Sequence, residues 1–430
     1  PRRYGSYATK DWQEVKAEED YCLRHELPFP HFNRLAGRPI KPSPLHEVLK
    51  AKGAVHEEVY GFERPRFFAK GIEQRDHYSF RRTPVDDVVA AEVKAVREAA
   101  GIMDVTAFTK VLVDGPGAYA LLDRLTSNRM PQKVGSITLT HMLNRLGRIE
   151  LETTIVRMAD DAFYLVCAAF FEQRLLDHLH HQRDSEAVNI TPLSSEWSAL
   201  SLNGPRSRDV LAAVTDADLS NAGFRWLSAR KIDVAGHPVW AFRMSYAGEL
   251  GWELHVPNAA CLDVYNALWA EGGAYGLADY GSFAMNAMRM EKGFKGAGEL
   301  TNEVTLVEAD VLRFARTDKT FLGSDQTFNA DMPWVCAYLE LEPDGIADGH
   351  GGEAILHNGV VVGSTASVAY GPTVGKILAF GYITPSAAAP GTTLDVVILG
   401  VARPARVLGE PAYDPQSALP RTDIQKEAAE

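Results

Sequence analysis

One short pattern occurs twice and limits what this chain can fold into. Asp114-Gly115-Pro116 follows the strand-like run Lys110–Asp114, and Asn203-Gly204-Pro205 follows the apolar run Ala199–Leu202. Each leads directly into a helical run, Ala118–Leu125 and Arg208–Val214. In both copies an Asp or Asn stands where a helix N-cap belongs. A Pro stands near the first turn, where its missing N–H costs little. Two strand–turn–helix units of one kind predict a duplicated α+β core.

The flanks read differently. The first 57 residues are polar, charged and broken by prolines, a composition that buries little core of its own and packs onto something larger. An amphipathic helix is predicted over Val88–Ala100. From about Trp334 the texture becomes all-β: runs such as Gly359–Gly363 and Leu394–Leu399 alternate with Gly and Pro turns. The expected division is therefore a connector over 1–57, an α+β body over 58–325, a β-barrel or jelly-roll-like domain over 330–420, and a charged tail over 421–430 expected to fray.

With 430 residues the chain is long enough for two to four domains. A formal charge of -12 argues against a nucleic-acid partner, whose phosphates demand clustered Lys and Arg. No run approaches the roughly 18 apolar residues of a membrane span. The opening Pro1-Arg2-Arg3-Tyr4-Gly5 has neither an initiator Met nor a signal-peptide core, which leaves a mature form and a piece of a longer polypeptide both open. Cys22, Cys167, Cys261 and Cys336 lie far apart, the pattern of free thiols in a reducing compartment. A cytoplasmic location is expected, with the mitochondrial matrix as the alternative for an N-terminally truncated chain.

Five segments could carry chemistry. Gly115-Pro116-Gly117 sits between strand and helix like a dinucleotide loop, but Pro116 intrudes and no acid stands about 20 residues on, so helix capping is the better reading. Asp177, His178, His180 and His181 look like a solvated helix end, and no metal is expected. In Asn144–Val156 a Gly turn enters a strand with Glu150 and Glu152 on one face and Ile149, Leu151, Thr153 and Ile155 on the other. Those two acids form either an exposed stripe or a cleft carboxylate. Ser245–Leu254 is a Gly-punctuated loop whose Tyr and Glu could meet a flat heterocycle, or it is a plain hairpin. Arg289–Leu300 ends a helix starting near Gly281, and Arg289, Lys292 and Lys295 make a local basic patch suited to an anionic tail.

Taken with Gly61–Pro65, Leu125–Asn128, Leu202–Pro205, Val374–Lys376 and Pro411–Pro415, these last three segments resemble the aminomethyltransferase (glycine-cleavage T protein) family. The likeness is strongest to the C-terminal halves of dimethylglycine and sarcosine dehydrogenases. Arg38-Pro39, Ser43–Leu45 and Gly53–Val55 resemble the connector that precedes the folate domain in those flavoenzymes.

The resemblance implies three subdomains in a ring, with tetrahydrofolate in the central opening. It implies the catalytic carboxylate at Glu152 and folate contacts at Tyr246, Glu253, Arg289, Asn144, Leu139 and Val156, with Arg289 meeting the ligand or holding Glu253. The sequence departs from the family in three places. Glu152 replaces the usual Asp, Gly147-Arg148 replaces Gly-Gly, and Leu139 and Val156 replace pterin-side tyrosines.

The implied function is a tetrahydrofolate-binding subunit or C-terminal portion of an N-methyl-amine dehydrogenase. The chain would capture the iminium carbon as methylene-tetrahydrofolate while FAD resides in a partner domain or subunit. Two alternatives stand beside it: a flavin-independent folate-dependent demethylase or aminomethyltransferase, and a non-catalytic folate-binding protein.

Overall fold

The computed structural model describes residues 9–329 and 332–421. The duplicated unit is built twice in it. The first sheet runs in the order Ile137–Leu143, Ile149–Ala159, Ala162–Cys167, Thr109–Asp114, Asn189–Pro192. The second runs Ala229–Val234, His237–Phe242, Gly251–Pro257, Trp197–Asn203, Ala100–Asp104, Leu277–Asp279. In each unit a central strand leads through a Gly-Pro turn into a helix, then a three-stranded meander, a second helix and a last strand. The helices are Ala118–Leu125 and Glu172–Gln182 in the first unit, Ser207–Ala212 and Asn258–Gly272 in the second.

The turns work differently from the predicted capping. The helix N-caps are Gly117 and Arg206, with no side-chain cap bond. Asp114 instead accepts from the Asn189 amide group across the sheet, and the Asn203 amide donates to Ser201 and Tyr280. The deciding residues are Gly115 and Gly204, at φ +110° and +118°. A Cβ on Gly115 would sit 2.6 Å from the Ala187 carbonyl oxygen, and one on Gly204 2.5 Å from that of Ala99. Only glycine combines that backbone with so close an approach.

One face of each sheet buries its helices. Leu122, Leu151, Ile155 and Leu175 meet in the first core, and Leu200, Leu254, Val264 and Leu268 in the second, all with no exposed surface. Each such side chain contributes roughly 1.5–3 kcal/mol. The expected alternation along Ile149–Ala159 is present: Ile149, Leu151 and Ile155 are buried, while Glu150 and Glu152 are half-buried. The helix predicted from Val88 starts earlier, at Pro84, because Thr83 and Asp86 form a capping box, and it stops at Glu98 before the strand Ala100–Asp104.

At the N-terminal side, helix Lys10–Cys22 buries no residue. The connector boundary expected at 57 falls inside a strand, Ala54–Val59, which pairs with Phe62–Phe68. Leu45 and Leu49 already belong to the second subdomain's core. The hairpin is tied by charge. Burial alone would raise the Glu57 carboxyl, but Arg64 and Arg66 outweigh it and hold it at about 2. A carboxylate depressed in the fold stabilises above its unfolded value, and that stability is lost as pH falls through about 4.5 towards 2. The shift corresponds to roughly 3 kcal/mol. Urea denaturation at pH 5 and pH 3 is expected to show the native protein losing stability over that interval more steeply than Glu57→Gln; equal slopes would contradict it.

The C-terminal domain is a closed barrel in the order Val335–Leu341, Lys376–Ile383, Val360–Gly371, Ala354–His357, Thr393–Ile398, Val401–Leu408, as its texture predicted. Closure leaves no unpaired edge. Arg97 docks the barrel to the body. It reaches Glu249 at 3.1 Å and Glu291 at 2.7 Å, while Tyr413 and the Thr373 amide donate to those same carboxylates. Of the predicted tail, 422–430 lie outside the described residues. Among the described residues no helix is long and apolar enough to cross a membrane, and no group of three or more His, Cys, Asp or Glu could hold a metal ion.

Candidate active site

Directly paired residues of an antiparallel ladder share a face. Ile137 opposes Val156, Leu139 opposes Thr154, and His141 opposes Glu152. The outer part of this face forms a wall of a cavity of about 1470 Å³, to which Leu139, Glu152 and Thr154 contribute. The second subdomain supplies Ser245, Tyr246 and Glu253, and the loop 293–297 and the barrel residues Tyr338 and Phe380 close it. All three subdomains therefore meet around one opening.

The second-subdomain wall is well fixed. The Tyr246 ring stacks on Phe294 at 5.9 Å, and its hydroxyl donates to the Lys295 carbonyl at 3.0 Å. Burial pushes the Tyr246 phenol up, so it stays neutral. Ser245 Oγ is buried without a hydrogen-bond partner, an unsatisfied polar atom on a cavity wall. Glu253 has the fully buried His255 behind it, Nε2 to Oε2 3.5 Å. Burial lowers that imidazole against the pull of Glu253, and its Nδ1 lies 3.2 Å from the Tyr164 hydroxyl. Glu249 of the same motif turns inward to Arg97.

Of the seven residues expected at the ligand, Glu152, Leu139, Tyr246 and Glu253 are on the wall. Three are not. Arg289 neither lines the cavity nor holds Glu253: it is buried against Glu299 at 3.0 Å and the Phe294 carbonyl, and Glu299 also accepts from the Gly296 amide. The pair shapes the loop that closes the site. Asn144 caps its own turn, accepting from the Leu146 and Arg148 amides. Val156 is fully buried, packed with Tyr164 and Phe242. The basic patch is also neutralised, because Lys292 pairs with Asp414 and Lys295 with Asp310, both at 3.1 Å. Asp414 lies 122 positions from Lys292, so the local reading could not see that partner.

Residues 45–319 match the GCVT N-terminal domain, and residues 335–414 match the glycine cleavage T-protein C-terminal barrel domain. The chain belongs to the glycine cleavage T-protein family. Among this family's relatives, the mitochondrial dimethylglycine dehydrogenase of Mus musculus is 33% identical over 99% of this chain and 50% of its own length. The mitochondrial sarcosine dehydrogenase of the same species is 32% identical over 94% of this chain and 50% of its own. The chain thus spans about half the length of these two dehydrogenases. The aminomethyltransferase of Saccharopolyspora erythraea is 29% identical over 87% of this chain and 98% of its own. The glycine cleavage system aminomethyltransferase T of Bartonella henselae superposes with a TM-score of 0.74 at 20% identity, covering 87% of this chain and 98% of that one, and so shares the fold.

The T-protein-family motifs did not reveal every wall residue. Phe108 and Trp226 line the cavity from loops and Phe170 and Phe314 from short 3-10 helices, and no local pattern marks them. His141 had no local signal: counted from the turn at Asn144–Arg148 it would oppose Leu151, and only a register shift between Met142 and Leu143 brings it opposite Glu152.

Proposed function

We propose that the cavity binds tetrahydrofolate and that the chain works as the one-carbon-accepting part of an N-methyl-amine dehydrogenase. The observation that carries this reading is the convergence of Glu152, Tyr246 and Glu253 on one mostly apolar opening, in a chain aligned over 99% of its length with a dimethylglycine dehydrogenase. Apolar and aromatic walls suit a flat heterocycle, and the few polar groups fix its orientation. Glu253 and the unsatisfied Ser245 Oγ are suited to the amino and amide edge of a pterin, and Tyr246 to its face.

Bound tetrahydrofolate supplies the nucleophilic nitrogen that takes the carbon. Glu152 would accept the proton that this nitrogen sheds as the new C–N bond forms, and return it to the amine nitrogen as the bond between that nitrogen and the carbon breaks and the amine leaves. Oxidation of the amine to an iminium is assigned to a flavin-containing domain or subunit outside this chain. An uncovered apolar surface supports that partner. In the N-terminal stretch Tyr21, Leu27 and Leu35 are 76%, 96% and 68% exposed.

A flavin-independent aminomethyltransferase is the second reading, favoured by the near-complete coverage of the Saccharopolyspora erythraea protein. The dehydrogenase alignment covers more of this chain, 99% against 87%. Glu253→Gln is expected to weaken tetrahydrofolate binding about 10-fold or more, since a charge-assisted hydrogen bond is worth about 1.5–3 kcal/mol. A fluorescence titration checks this, and unchanged affinity would remove Glu253 from the ligand.

A further inference from the structure

Behind the cavity wall lies an imidazole that the mechanism so far leaves unused. His141 is fully buried, and neither ring nitrogen has an aligned hydrogen-bond partner in the protein. Its Nε2 is 3.2 Å from Glu152 Oε1, across the register pair that joins their strands. Its ring packs against Phe314, centroids 5.9 Å apart. Buried polar groups are paired in nearly all proteins, and an unpaired one costs about 1–3 kcal/mol. Glu152 is the acceptor within reach, 3.2 Å from Nε2.

Glu152 also needs an anchor. It carries one more methylene, and so one more rotatable bond, than the aspartate for which it stands. A donor from the neighbouring strand removes that freedom.

We propose that His141 is the positioning residue for Glu152: its Nε2–H donates to Oε1 and leaves Oε2 presented to the cavity. With the hydrogen on Nε2 the ring presents a donor there, and the carboxylate is its acceptor. Such an anchor holds the base within the few tenths of an ångström that catalysis requires. The role in transfer rests on Glu152 being the proton acceptor; the hydrogen bond itself does not.

Nitrogen-15 NMR of the full chain labelled at histidine tests the bond without any ligand. The signal lost in His141→Gln identifies the ring. The expected result is a protonated Nε2 whose resonance moves in Glu152→Gln. A ring protonated at Nδ1, or one indifferent to Glu152→Gln, overturns the proposal.

Kinetics then test the role, with tetrahydrofolate as acceptor and the iminium formed from formaldehyde and N-methylglycine as donor. His141→Gln keeps a donor near the place of Nε2 and is expected within about 3-fold of the native kcat. His141→Leu is expected to lose about 10-fold or more in kcat with KM for tetrahydrofolate unchanged. A folded His141→Leu with native kcat contradicts the positioning role. Absence of folate binding by the native chain would instead overturn the function proposed for the cavity and leave the NMR result standing.

Discussion

Glu152→Gln is expected to lose about 100-fold or more of the one-carbon transfer rate while tetrahydrofolate affinity changes little, the size of effect that acid–base catalysis supplies. Glutamine keeps the shape and the acceptor oxygen of the side chain but cannot take a proton. The side chain is 27% exposed, on the cavity wall, so the substitution leaves no unpaired buried charge. The loss should therefore fall on kcat and not on binding or folding. Single-turnover transfer from an iminium donor measures it directly. Native turnover in the glutamine variant would move the proton acceptor elsewhere, and a parallel loss of affinity would make Glu152 a binding group.

Arg97→Met is expected to destabilise the protein by about 3–5 kcal/mol, the cost of removing one partner from a buried ion pair. Arg97 is 5% exposed, and its two carboxylates are 2% and 0% exposed. It also donates to the Ala247 carbonyl at 2.7 Å, and its guanidinium lies 4.1 Å from the Tyr413 ring. One side chain thus joins the helix Pro84–Glu98, the loop beside Tyr246, the helix Ser282–Glu291 and the barrel. A loss of this size is a large share of the roughly 5–15 kcal/mol that holds a domain. Urea unfolding of the variant should show a large drop in midpoint, and a change below about 1 kcal/mol would mean that packing alone holds the barrel.

The contrast between these two residues explains what was legible in the sequence. Glu152 stands on a strand whose period-two pattern is written locally, as are the repeated Gly-Pro turns and the Gly-punctuated barrel strands. The role of Arg97 is not written locally, because Glu249 lies 152 and Glu291 194 positions away. The same limit misdirected the basic segment after Ser282–Glu291. Arg289, Lys292 and Lys295 are all paired: Asp414 comes from 122 positions beyond Lys292, whereas Glu299 and Asp310 stand only 10 and 15 positions from their partners and could have been weighed. The hairpin Ala54–Val59 with Phe62–Phe68 was missed for a related reason. Its second strand carries Arg64 and Arg66 among apolar residues, and Arg66 is 4% exposed because Glu57 and Asp76 hold it. The capping error at Asp114 and Asn203 is different. There the residue types were right for a cap, and a positive φ at the following glycine carried the chain past the position.

Anaerobic calorimetric titration of the purified chain with tetrahydrofolate tests the central claim most directly. The account predicts saturable binding at one site, weakened in Glu253→Gln and retained in Glu152→Gln. A chain shown to be folded by its cooperative urea transition that takes up no tetrahydrofolate would contradict it.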